Sequence, residues 1–182
     1  MNSLAKEFLE TVIRRVKYYK DLADKTFAQL NDADFHYQFN EESNSIAIII
    51  QHMAGNMLSR WTNALTEDGE KEWRQRDDEF SIHDYSKQQL LDTWEKGWKC
   101  YLDALASFKE EDLLKTITIR NESLTLIDAM NRQLAHYPYH IGQIVYVGRM
   151  IRNHEWKNLS IPKGESIKYN KDESVKDPAK KF

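Results

Sequence analysis

Two histidines, His136 and His140, stand one helical turn apart in the stretch HYPYHIGQIVYVGRMI, on either side of Pro138. Imidazole is the commonest side-chain ligand for a divalent metal. A pair at i and i+4 on one helix presents its rings from successive turns. On a wheel turning about 100° per residue, the two lie about 40° apart, and the apolar stripe is roughly 100° round from them. Ala129, Gln133 and Gln143 share the histidine face, while Met130, Leu134, Tyr137, Ile141, Ile144, Gly148 and Ile151 make the stripe. A third histidine, His52, shares a face with Asn56, Ser59 and Asn63, beside Met53, Met57 and Trp61. Three nitrogens from two neighbouring helices would form a triangle, and catalytic zinc sites use three protein ligands with a position left open.

Spacing alone leaves a second reading open. A histidine pair at i, i+4 also arises by chance, and a lone core histidine is commonly just hydrogen-bonded. No HExxH is present, so a zincin-type general base is not signalled. Pro138 removes an amide donor and crowds the carbonyl of Leu134. That fits a turn shaped for ligand geometry and equally a proline tolerated in a well-packed helix. His36, His83 and His154 read as surface residues.

Four helical segments must position these groups. The first, capped by Ser3, repeats Leu4, Phe8, Val12, Val16, Tyr19, Ala23, Thr26 and Leu30 at steps of three and four. The second runs from Asn44 to Leu65, with Asn44 or Ser45 as its cap. The third opens on Ser86 with Gln89 three residues on, a capping box, and carries Leu91, Trp94, Trp98, Tyr101, Leu105 and Phe108. The fourth opens on Thr125 with Asp128. Such spacing suits helices packed nearly side by side, which predicts an all-α four-helix bundle. The connection Thr66 to Tyr85 is long for a compact domain unless it crosses the bundle or contributes to function, so the second and third helices are expected to run parallel. Its charged stretch DGEKEWRQRDDEF reads first as a solvated crossover, and second as a lid or dimer contact anchored by Trp73. KTITIRNESLTL, just before the fourth helix, suggests a small β-hairpin around Asn121-Glu122. Residues 1–161 read as one bundle domain and 162–182 as a polar tail, loose beyond about Tyr169.

Composition narrows the function classes. With 182 residues, 41% hydrophobic and 30% charged, the chain suits one domain with a substantial core. A net charge of −3 gives no case for a nucleic-acid surface. Ile46 to Ile50 is the longest apolar run, far too short to span a bilayer, and the charged N-terminal stretch shows no secretory signal. The single Cys100 excludes an intrachain disulfide, fits a reducing compartment and reads as packing. A cytoplasmic protein is expected.

A bundle with one histidine in its second helix and HxxxH-x-GQI in its fourth resembles the DinB/YfiT-like superfamily of metalloenzymes. The stretches SNSIAIIIQHMAGNMLSRWTNALTEDGEKEWRQRDDEF and AMNRQLAHYPYHIGQIVYVGRM look like a bacterial branch of it classed only as a domain of unknown function. The resemblance covers roughly Leu4 to Ile161. It implies a crossover between the second and third helices and a metal, usually zinc or nickel, held by His52, His136 and His140. Homodimers are common among such proteins. Relatives include thiol-dependent S-transferases, bacillithiol-using enzymes among them, and a mycothiol-dependent maleylpyruvate isomerase. The expectation is a three-histidine metal site serving an S-transferase, with a low-molecular-weight thiol as cosubstrate, or a hydrolase, acting on a small electrophile. Asn56, Arg60, Arg132 and Gln143 are candidates for orienting that substrate. The alternative is a non-catalytic, metal-stabilised dimeric binding module.

Overall fold

The structure is a computed structural model, and it describes residues 3–172, 174 and 176–182. Helix α1 spans Leu4–Phe27, α2 Ile46–Trp61, α3 Lys87–Ser107 and α4 Leu126–Arg152. Each begins at a side-chain cap. Ser3 accepts from the Lys6 amide, Ser45 from Ile48 and Thr125 from Asp128, and Ser86 and Gln89 complete a reciprocal capping box. A short helix, α5, covers Ser166–Lys171 within the polar tail. Farther on, Asp177 pairs with Arg15 at 2.7 Å and Ala179 is buried, so this part of the tail lies on α1 instead of hanging loose.

Two boundaries differ from the sequence expectation. Helix α2 stops at Trp61 instead of Leu65, because the chain turns at Asn63, whose φ is 51°. The hairpin pairs β1 (Thr116–Ile119) with β2 (Glu122–Thr125), with Ile119 opposite Glu122. Its two-residue turn is therefore Arg120-Asn121, one position earlier than expected. Both have positive φ, 58° and 62°, as the right-handed twist of a tight hairpin demands.

Contacts along the helices define their directions. Ala54 touches Gly97, the Met57 carbonyl faces Cys100, and the Trp61 ring meets Tyr101 and Phe108. Residue numbers rise together, so α2 and α3 are parallel and the 66–85 segment is a true crossover. In α1 and α3 they run oppositely: Lys20 pairs with Glu95, Asp24 accepts from Trp94, and the Phe27 carbonyl accepts from Lys87. Helix α1 lies parallel to α4: at one end Ser3 bonds to Glu110, in the turn whose neighbouring Leu113 carbonyl accepts the Ile127 amide at the start of α4, and at the other Thr26 lies against Gly148. The interior is aromatic: Trp94, Trp98, Tyr101 and Tyr137 are all at most 1% exposed and their rings interlock. Burying each such side chain contributes on the order of 2 kcal/mol. Leu4, the first residue of the expected stripe, is outside this core, which begins at Leu9. No helix among the described residues is long and apolar enough to cross a membrane.

Candidate metal centre

Helix α4 remains continuous through Pro138, so His136 and His140 keep their one-turn spacing and face α2. There they meet His52. The Nε2 of His136 is 3.1 Å from that of His140 and 3.4 Å from that of His52. His52 and His140 are buried and His136 is half-buried. Among the described residues, these three are the one group of histidine, cysteine and acidic side chains brought within metal-binding distance.

The other ring nitrogens explain what the cluster is suited to hold. His52 Nδ1 faces Glu79 Oε2 at 3.0 Å, His136 Nδ1 faces Gln133 Oε1 at 3.2 Å, and His140 Nδ1 faces Gln143 Oε1 at 2.7 Å. Each partner is an acceptor, so each Nδ1 carries the proton and donates it. Three Nε2 lone pairs are left pointing at one another, which is repulsive unless a cation lies between them. Protonation is disfavoured: burial, then the neighbouring His140 and His52, push the His136 pKa down to about 4, and burial also lowers that of His140. A divalent metal answers both demands. Zinc–imidazole bonds of about 2.0–2.1 Å at near-tetrahedral angles separate two donor nitrogens by roughly 3.3 Å. The observed separations fit that donor set.

The crossover holds His52, the first of these histidines, in place. Glu79, 9% exposed, takes two hydrogen bonds from Arg74, Nε to Oε1 at 2.7 Å and Nη2 to Oε2 at 2.8 Å. A planar fork of this kind fixes the carboxylate in position as well as neutralising it. Burial alone would raise the Glu79 pKa, but His52 and Arg74 outweigh it and the net shift is downward. The carboxylate also needs space beside α2, and Gly55 leaves it: a Cβ there would stand 2.2 Å from Glu79 Oε1. Further back, Arg60 reaches the Gly69 carbonyl and pairs with Glu70 at 2.9 Å. Asp68 accepts the amides of Glu70, Arg120 and Asn121 at 2.6, 2.8 and 2.9 Å, tying the crossover to the hairpin turn. Burial opposes ionisation of Asp68, yet these amides and the Thr118 hydroxyl bring its pKa down to about 2.

A family model described as "Protein of unknown function (DUF1572)" matches residues 3–165. The chain belongs to that family. No curated protein and no solved structure shows a significant match to it.

In this DUF1572 member the four candidate orienting residues have separate placements. Gln143 is at the centre, as the partner of His140. Asn56 is buried and accepts from the Tyr137 hydroxyl at 3.0 Å, and Arg60 is occupied with the crossover, so both are engaged in internal bonds. Arg132 is exposed. The crossover is not simply solvated, since Arg74 and Glu79 are buried, whereas Trp73 is 56% exposed. His36 and His83 bond backbone carbonyls of Tyr85 and Asp78, away from the cluster, and His154 is exposed. Cys100 lies near Thr62 and the Met57 carbonyl. Sequence reasoning missed Glu79 and Arg74. Their one signal was Gly55, a helix-weakening residue in the middle of α2.

Proposed function

We propose that this chain is a metal-dependent enzyme of the DinB/YfiT type, an S-transferase using a low-molecular-weight thiol or a hydrolase, acting on a small electrophile. The observation that carries the reading is the convergence of three Nε2 atoms, each on a ring whose Nδ1 faces its own acceptor. When bound, a zinc or nickel ion supplies Lewis acidity that makes a thiol or a water nucleophilic at neutral pH. Glu79, Gln133 and Gln143 keep the three Nδ1 protons in place and so hold the lone pairs on target. Phe80 packs its ring 4.8 Å from that of His52, and Tyr139 lies 5.0 Å from His140. Three protein donors without a fourth among the described residues favour a catalytic over a closed structural site. The resemblance supports a homodimer as the working form, and the single Cys100 fits a cytoplasmic one; residues 1–161 would be the catalytic bundle and 162–182 its tail.

The test has two stages. Purified wild type should carry about one equivalent of zinc or nickel per chain, and His136→Ala much less, by elemental analysis. Metal-loaded protein is then screened for thiol conjugation and hydrolysis beside His52→Ala. Equal metal content in wild type and variant would refute the site. Stoichiometric metal with identical turnover in both proteins across the screen would favour the binding module.

A further inference from the structure

A cleft of about 630 Å³ opens next to the histidine cluster, within the range that takes small molecules. One wall is α4, where Tyr139, Gln143, Tyr146 and Met150 follow one another on a single face. The opposite wall is the chain between α1 and α2, with Tyr37, Phe39 and Glu42. Gln143 belongs to both places, since it lines the cleft and accepts the Nδ1 proton of His140. Tyr139 likewise lines the cleft and packs its ring edge-on against His140.

The lining has a distinct chemistry. Its aromatic side chains are far from buried: Phe39 is 70% exposed, Tyr146 67% and Tyr139 62%. Exposed aromatic area of this kind is uncommon without an occupant. Among the described residues, Glu42 is the one formally charged residue lining the cleft, and no lysine, arginine or histidine lines it. Aromatic faces carry negative charge density that attracts cations, and a carboxylate at the rim adds to it. An anionic ligand would find only neutral hydrogen-bond donors there, with no cationic side chain among the described lining residues.

We infer that this cleft binds the non-reacting part of the substrate, and that this part is an apolar or aromatic group bearing an amine or quaternary ammonium, not a carboxylate or phosphate. The inference deepens the proposed function, in that the reactive end of such a molecule would extend past Gln143 to the histidines. Binding in the cleft is nevertheless separable from metal binding, which makes the two independently testable.

The probes are benzyltrimethylammonium and phenylmethanesulfonate, which share a ring and differ in sign of charge, titrated by calorimetry or NMR. The full-length protein should bind the cation about tenfold more tightly than the anion, as one modest cation–π contact plus one exposed ion pair would give. Glu42→Gln should reduce that preference to about threefold, and Phe39→Ala should weaken both probes. The titrations are run on metal-free protein, so that the cleft is read without the charge of an ion and a failed metal site leaves this result standing. The inference is overturned by equal or tighter binding of the anion, by binding of neither probe, or by an unchanged preference in Glu42→Gln. A monomer–dimer equilibrium abolished by Phe39→Ala, with no probe binding, would assign the face to a second copy instead.

Discussion

Replacing Gly55 by alanine should destabilise this protein, against the usual rule for helices. In a helix interior, glycine to alanine contributes about 1 kcal/mol of stability through backbone entropy. Here the new methyl would lie 2.2 Å from Glu79 Oε1 and 2.7 Å from Cδ. The carboxylate can swing away, but only by abandoning Arg74 and His52, both buried. Stranding one member of a buried, hydrogen-bonded ion pair costs roughly 3–5 kcal/mol. The net expectation for Gly55→Ala is therefore a loss of about 2–4 kcal/mol, read from urea unfolding of metal-free protein. Losing the acceptor on His52 Nδ1 should also weaken zinc binding about 10–100-fold, read by competition with a chelator of known affinity. Gly55→Ser should behave similarly, and Glu79→Ala should lower metal affinity as much without any clash. A Gly55→Ala protein that is stabilised by about 1 kcal/mol and binds zinc like wild type would refute the placement of Glu79.

Three further outcomes are expected. Gly97→Ala would bring a Cβ to 2.8 Å from the Cα of Ala54, where backbone cannot step aside, so the α2–α3 contact should loosen and the urea midpoint fall by about 1–3 kcal/mol equivalent; a raised midpoint would contradict the close approach. Tyr137→Phe removes the hydroxyl that accepts from Trp61 Nε1 at 3.1 Å and donates to Asn56, leaving two buried groups without a partner, and thermal denaturation should report a loss of about 1–3 kcal/mol. Asp68 has a depressed folded pKa, so its contribution is complete above the ordinary aspartate value and disappears as the pH falls through the folded one. The stability gap between wild type and Asp68→Asn should thus be full at neutral pH and shrink between about 4 and about 2; a gap independent of pH would show that the charge contributes nothing to holding the hairpin turn.

The helices are legible in the sequence because local physics places them. Ser3, Ser86 and Thr125 cap where hydroxyl oxygens precede a 3.6-residue apolar repeat, and the same residues cap in the structure. The parallel pair α2–α3 follows from connection length. The convergence of the histidines is legible as a possibility, because His136 and His140 share a face whatever the surroundings. Whether His52 meets them depends on how α2 and α4 are rotated, which only packing decides. Glu79 is hidden for a different reason. It lies 27 residues beyond its partner in a segment whose mixed charges read as solvated, and nothing local says that Arg74 folds back to neutralise it. The end of α2 and the hairpin turn are off by a few residues because Asn63 and Asn121 tolerate left-handed backbone, which a hydrophobic pattern does not register.

His52 and His136 are 84 residues apart along the chain. An ion gripping both would act as a reversible staple across nearly half the polypeptide, enclosing the crossover, α3 and the hairpin in one closed ring. For a permanent crosslink, a ring of that size removes about 4–5 kcal/mol of freedom from the unfolded chain. The same three side chains that would perform chemistry thus also lie where a chelator's pull would be felt as slackening of the entire bundle.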